Sequence, residues 1–286
     1  MRYCGREFTE KEIGWIRQLM ADNSGISRIE MSRRFCREFA WLKPDQGLKD
    51  MSCRVAMLRM EKDGHITLPP PQTKHTKPYK RVSQTLFAEP CAEINQKAGE
   101  FDLQLDIAGR KTLALWNEFI DRYHYLRYTP LPGAQIRYFV KAGDQILALL
   151  GFGAAAWKTA PRDNYIGWDA KTRQKNLHLV VNNARFLILP WVRSRNLASR
   201  ILSEVSKRIA SDWEDRYRYR PVLLETFVEK ERFTGACYKA SNWVCVGDTQ
   251  GRGKLDVYNE YKLPVKSVWL YPLVRDFRQI LCGGGV

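Results

Sequence analysis

Apolar positions recur at helical spacing through the opening of the chain and then give way to shorter, strand-like runs. Thr9 precedes a helix predicted over 10–20, and Glu12, three residues on, completes a capping box. Ser27 precedes a second helix, over 28–39, in which Ile29, Met31, Phe35 and Phe39 form the inward face. Asp50 or Ser52 starts a third, over 51–62, with Met51, Val55 and Leu58 inward, and Gly64 stops it. Residues 65–69 read as a short strand.

From about residue 86 the pattern becomes mixed α/β. A helix is expected over 113–123. A strand pair, 136–142 and 145–152, is joined at Gly143 and Asp144, with 154–157 a continuation of the second strand. Residues 164–168 read as irregular, and 177–183 and 185–189 as apolar strands. A helix over 197–213, a strand over 222–228, a short helix over 235–240 and a strand over 243–247 follow. The stretch 255–281 is aromatic and basic, with strand-like pieces. The most informative segment is the apolar run 186–189, which stops at Pro190. A basic turn follows, and then the amphipathic run that begins at Leu197. Strand, tight turn and helix leave main-chain N–H groups free at the helix start, a ready site for phosphate. Arg193 and Arg195 lie in the turn, where they meet the same anion.

Charge sharpens the division. The 286 residues carry 47 Lys+Arg against 31 Asp+Glu, a net +16, which calls for a polyanionic partner. Through residue 84 there are 17 against 10, and over the remaining 202 residues 30 against 21, so charge is about twice as dense at the start. Three small helices ending in a strand resemble a winged helix-turn-helix, whose third helix lies in the major groove. Lys49, Arg54, Arg59 and Lys62 are the outward cations of that helix, and Arg28, Arg33, Arg34 and Arg37 those of the helix before. The expected organisation is a DNA-binding domain over 1–68, a stiff basic linker over 69–85 and a mixed α/β domain over 86–286, α+β in class. In the linker, Pro69, Pro70 and Pro71 precede Lys74, Lys77, Lys80 and Arg81, a run suited to a DNA backbone, duplex or single-stranded.

No apolar run approaches membrane-spanning length and no signal peptide opens the chain, so a cytoplasmic protein without a membrane partner is expected. The seven cysteines are dispersed, with no C-x-x-C pair and no zinc-like spacing; reduced thiols and no metal site follow. Asp163, Asp212 and Glu225, scattered along the chain, are a weak signal for the metal ligands of a nuclease, the outside reading. His124, between two tyrosines at a helix end, is either packed or a base; Arg162 and Asp163 are an ion pair or part of a cleft.

Two segments resemble the Gcn5-related N-acetyltransferase fold. Arg193 and Ala198 match that family's Arg/Gln-x-x-Gly-x-Gly/Ala turn, while Asn196 stands where the family has glycine. Asn tolerates positive φ, but its side chain crowds a pyrophosphate. Val222, Leu223, Leu224, Glu225, Thr226, Phe227 and Val228, followed by Tyr238 and Trp243, are similar to the family's closing strand, helix tyrosine and aromatic. The resemblance implies acyl-CoA at Arg193, Arg195, Asn196 and Ala198, Glu225 as general base and Tyr238 as general acid, with His124 and Asp163 as further catalytic candidates.

A second resemblance covers nearly the whole chain. It is carried by the words 122–126 (RYHYL), 181–183 (VNN), 185–191 (RFLILPW), 196–199 (NLAS), 224–228 (LETFV), 238–243 (YKASNW) and 247–253 (GDTQGRG). They are similar to the Druantia anti-phage protein A family, some members of which lie beside, or fused to, transposases. It implies a nucleic-acid-binding role in phage defence alongside a large helicase-like protein and other system members. The alternatives are an acyl-CoA-dependent N-acyltransferase and a transposon-associated DNA-binding accessory.

Overall fold

The computed structural model describes residues 1–72, 82, 85–89, 92–251 and 263–283, divided between two units, Met1–Lys80 and Arg81–Val286.

The first unit opens with a minimal hairpin, β1 (Arg2–Tyr3) and β2 (Arg6–Glu7), ahead of helices α1 (Glu10–Asp22), α2 (Arg28–Glu38) and α3 (Asp50–Lys62). The capping box at α1 forms as its sequence dictates: the Thr9 hydroxyl accepts the Glu12 N–H (3.2 Å), and the Glu12 carboxylate accepts the Thr9 N–H (2.8 Å). Ser27 caps α2 by accepting the Glu30 N–H (3.1 Å). Ile13, Ile16, Met31, Phe35, Met57 and Met60 fill the core between the helices, and the Arg6 guanidinium lies against the rings of Phe8, Phe35 and Trp41.

Two expectations for this unit are corrected. Met51, Val55 and Leu58 do not face the core: they are 60%, 38% and 45% exposed, and Ile29 of α2 is exposed as well. Helix α3 carries two apolar stripes, and the one that packs is Cys53, Ala56, Met57 and Met60. Its small residues admit α2 closely, and Cys36 and Cys53 are both buried in this core. Residues 65–69 form no strand. Side chains take the place of a ladder partner: the Arg17 guanidinium donates to the His65 carbonyl (2.7 Å), the Leu68 N–H to the Glu61 carboxylate (2.8 Å) and the Arg28 guanidinium to the Pro69 carbonyl (2.7 Å). Residues 39–49, a link much longer than the three to four residues of a helix-turn-helix turn, separate α2 from α3.

The second unit contains, in chain order, β3 (Ile94–Asn95), β4 (Leu103–Ile107), α4 (Leu113–Tyr123), β5 (Gln135–Ala142), β6 (Gln145–Ala154), α5 (Ala160–Ile166), α6 (Ala170–Asn176) and β7 (Val180–Ile188). They are followed by β8 (Val192–Arg193), α7 (Leu197–Tyr217), β9 (Leu223–Glu229), α8 (Ala236–Ala240), β10 (Val244–Asp248), β11 (Lys266–Pro272) and α9 (Phe277–Cys282). Seven strands make one mixed sheet in the order β10-β11-β9-β7-β6-β5-β4, and β3 pairs with β8 separately. Every neighbouring pair in the large sheet is antiparallel except β7 and β9. Residues 164–168, read as irregular, fall largely in α5. Residues 177–179 are a 3-10 turn rather than strand, so the two expected strands are the single β7.

The sheet packs closely against its helices. Trp116 of α4 lies over Gly151, where a Cβ would come within 3.0 Å of the indole, and its Nε1–H donates to the Tyr138 carbonyl (3.1 Å). Tyr138 in turn donates to the Asp212 carboxylate of α7 (2.7 Å), so Asp212 braces the sheet. No helix among the described residues is long and apolar enough to cross a membrane.

Candidate functional site: the turn into α7 and the parting strands

β7 and β9 pair in parallel at only three positions, Val180–Leu223, Val181–Leu224 and Asn182–Glu225; beyond them β7 stays with β6 and leaves β9. A bulge on β7, with Ala184 the extra residue opposite Gly151 and Phe152 of β6, accompanies the departure. Two polar side chains bridge the gap. The Thr226 hydroxyl donates to the Asn183 carbonyl (3.0 Å), and the Tyr238 hydroxyl donates to the Asn183 side-chain oxygen (2.9 Å). The phenol is buried, which pushes its pKa up, and its ring packs between Trp243 (5.1 Å) and Phe186 (6.5 Å).

Glu225 lies on the neighbouring position and belongs to a different environment. Its carboxylate accepts the Ala156 N–H (2.7 Å) and pairs with Arg162 (2.8 Å); both side chains are 0% exposed. Burial pushes the Glu225 carboxyl up, and the Arg162 guanidinium opposes that. Arg162 also grips Asp163 (2.8 Å), which receives the Trp168 indole N–H (3.0 Å) and the Arg173 guanidinium (3.2 Å). Two carboxylates and two arginines thus lock α5 and α6 to β9. Glu225 and Tyr238 hold their polar atoms in internal bonds, and a proton transfer by either begins by breaking them. Among the described residues no three His, Cys, Asp or Glu side chains converge as metal ligands.

The turn ahead of α7 has another character. Asn196 adopts φ +65°, the left-handed conformation its side chain tolerates, and makes no side-chain cap. Arg200 N–H reaches the Asn196 carbonyl (3.2 Å), while the N–H groups of Ala198 and Ser199 find no acceptor among the described residues. An open cleft of about 1030 Å³ lies beside this turn; Lys97, Arg193, Arg195 and Arg200 bring positive charge to it, and Glu100 and Glu204 offset part of it. Arg193 leans toward Glu93 (3.5 Å), Arg200 donates to the Ala98 carbonyl, and Arg195 has no carboxylate within 4.0 Å among the described residues. Lys97 and Arg200 escaped the sequence reading because residues about a hundred positions apart meet there.

The other sequence candidates fall elsewhere. His124 caps the C-terminus of α4 with its Nδ1 accepting the Leu126 N–H (3.1 Å); the neutral ring therefore carries its proton on Nε2. Burial and the charge of Arg185 hold its pKa down to about 4. In the first unit Arg28, Arg34 and Arg54 are tied to Glu61 (3.9 Å), Glu30 (3.1 Å) and Asp50 (3.7 Å). Arg33, Arg59 and Lys62 are exposed and have no carboxylate within 4.0 Å among the described residues. Lys77, Lys80, Arg81, Cys91 and the end of the 249–253 turn lie outside the described residues.

A mixed α/β body with a cationic helix-start cleft, together with a basic three-helix unit, defines the molecule. The profile of the Druantia protein DruA family matches residues 59–261, and the chain belongs to that family. Membership sets it among the components of an anti-phage system that contains other proteins. No curated protein sequence matches the chain. Several solved acetyltransferases are similar in structure. Spermidine/spermine N-acetyltransferase SpeG from Vibrio cholerae has 12% identity and TM-score 0.38, covering 60% of this chain and 92% of that one. A GNAT-family acetyltransferase from Streptococcus pneumoniae has 13% identity and TM-score 0.39, covering 60% and 99%. The Drosophila melanogaster polyamine N-acetyltransferase has 10% identity and TM-score 0.38, covering 60% and 100%.

Proposed function

We propose that the protein is a nucleic-acid-binding component of its phage-defence system, working in the cytoplasm beside a helicase-like partner. The three-helix unit, with no wing strand over 65–69 and a long α2–α3 link, grips duplex phosphates through the exposed cations of α2 and α3. The body is an acetyltransferase-like framework whose α7 turn holds an anionic group of the nucleic acid or of a partner. The observation that carries this reading is the set of exposed cations without carboxylate partners, Arg33, Arg59 and Lys62, on the two helices that pack against each other. Unpaired surface cations of this kind release counterions when they meet phosphate.

The acyltransferase alternative uses the same turn. It is the weaker reading because Asn196 occupies the approach to the helix start and because Thr226 and Tyr238 bridge the strands along which an acyl donor would lie. The test is fluorescence anisotropy of the full chain with a labelled hairpin duplex. Changing Arg33, Arg59 and Lys62 together to Ala is expected to weaken binding about tenfold or more. Equal affinity for the variant and the parent would remove the proposed contact.

A further inference from the structure

A second cationic cluster lies where the end of α4 meets β7 and the end of β9. Arg185, on β7, donates to the Ala184 carbonyl (2.7 Å) and the Thr129 hydroxyl (2.8 Å). Both acceptors are neutral, and among the described residues no carboxylate lies within 4.0 Å of this half-buried guanidinium. A partly desolvated cation of this kind is left with charge that a bound anion would compensate. His124, five residues before Thr129, is a neutral ring with its proton on Nε2, an atom that finds no acceptor among the described residues.

Next to these donors are two aromatic rings in contact with solvent. Tyr125, 36% exposed, stacks on His124 (4.8 Å, 25°), and Phe233, 49% exposed, lies 5.4 Å from Tyr125 at 58°. The Arg232 guanidinium covers the Tyr125 ring at 5.2 Å, while its charge is taken up by Glu229 (2.9 Å). Arg185 is therefore the positive charge left over, and Phe233 with the solvent-facing part of Tyr125 is the apolar surface left over.

A ligand that satisfies both must carry an anion and a flat, stackable group joined together. A plain carboxylate or sulfate would leave the rings wet, and an apolar ligand would leave the guanidinium uncompensated. A nucleotide supplies both parts, phosphate for Arg185 and base for the rings. We propose that His124, Tyr125, Arg185 and Phe233 form a binding site for one nucleotide unit, free or within a single strand. The site is built wholly within the second unit and does not rest on the duplex contact proposed for α2 and α3.

The experiment measures binding of the full chain to labelled dT12, with unlabelled thymidine 5′-monophosphate as competitor and a hairpin duplex as control. Phe233→Ala and Tyr125→Ala are each expected to weaken dT12 binding about tenfold, the worth of one stacked base, and to leave duplex affinity within about twofold. Displacement by the monophosphate assigns the site to a free nucleotide; resistance to it, with the same variant effect, assigns it to a strand. Unchanged dT12 affinity in both variants, or an equal loss for dT12 and duplex, overturns the proposal. Duplex binding that fails in the parent chain while the dT12 effect persists rejects the α2–α3 contact alone.

Discussion

Thr226 donates its hydroxyl to the main-chain carbonyl of Asn183 at 3.0 Å and so ties two parallel strands together just beyond the end of their ladder. The carbonyl would otherwise be a buried acceptor without a partner. Thr226→Val keeps the side-chain shape and removes the donor, and it is expected to cost about 1–3 kcal/mol of stability by urea denaturation. An unchanged midpoint would mean that the gap admits water or closes by other means.

The buried network around Arg162 makes a larger demand. Arg162→Met leaves Glu225 and Asp163 with the loss of their shared cation inside the fold, and removing one partner of a buried pair costs about 3–5 kcal/mol. The same denaturation measurement reads it. A loss below about 1 kcal/mol would show that Arg162 is not what compensates the two buried carboxylates.

His124 gives the fold a defined response to acid. Its folded pKa, about 4, lies below the unfolded value of 6.5, so the unfolded chain binds the proton more readily. Stability from this residue is intact above pH 6.5 and falls as the pH drops toward 4, by about 3 kcal/mol at the limit. His124→Asn keeps an acceptor for the Leu126 N–H and cannot titrate. Between pH 7 and pH 4 the parent is expected to lose about 3 kcal/mol more than the variant; parallel pH profiles would contradict the shift.

Much of the helical framework was legible because local chemistry and tertiary packing agree. Thr9 and Ser27 cap as their sequence positions dictate, and Gly143 and Asp144 turn the expected hairpin. The left-handed Asn196 and the start of α7 likewise follow from a strand that stops at Pro190. The face of α3 was not legible, because Met51, Val55 and Leu58 repeat at helical spacing as regularly as Cys53, Met57 and Met60. Only the close approach of α2 chooses between the stripes. Residues 65–69 are strand-like in composition, but their partners are side chains, Arg17 and Arg28 from far away in sequence and Glu61 from the end of α3. Of the site, the turn could be read locally. The Arg185–Tyr125–Phe233 cluster could not, since it is assembled from three separate segments.

The choice of stripe in α3 has a direct consequence. Leu58→Gln, on the outward stripe, is expected to change stability by no more than about 0.5 kcal/mol. Met60→Ala, on the packed stripe, is expected to cost about 2–5 kcal/mol. A reversed ranking in thermal or urea unfolding would put the wrong face of α3 in the core.

The salt dependence of duplex binding tests the central claim most directly. If Arg33, Arg59 and Lys62 each meet a phosphate, log affinity falls linearly with log salt between about 50 and 200 mM, and the triple Ala variant loses about 0.9 of slope for each phosphate contact removed. A flat affinity across that range, or a slope that the variant leaves unchanged, would contradict a phosphate grip by α2 and α3.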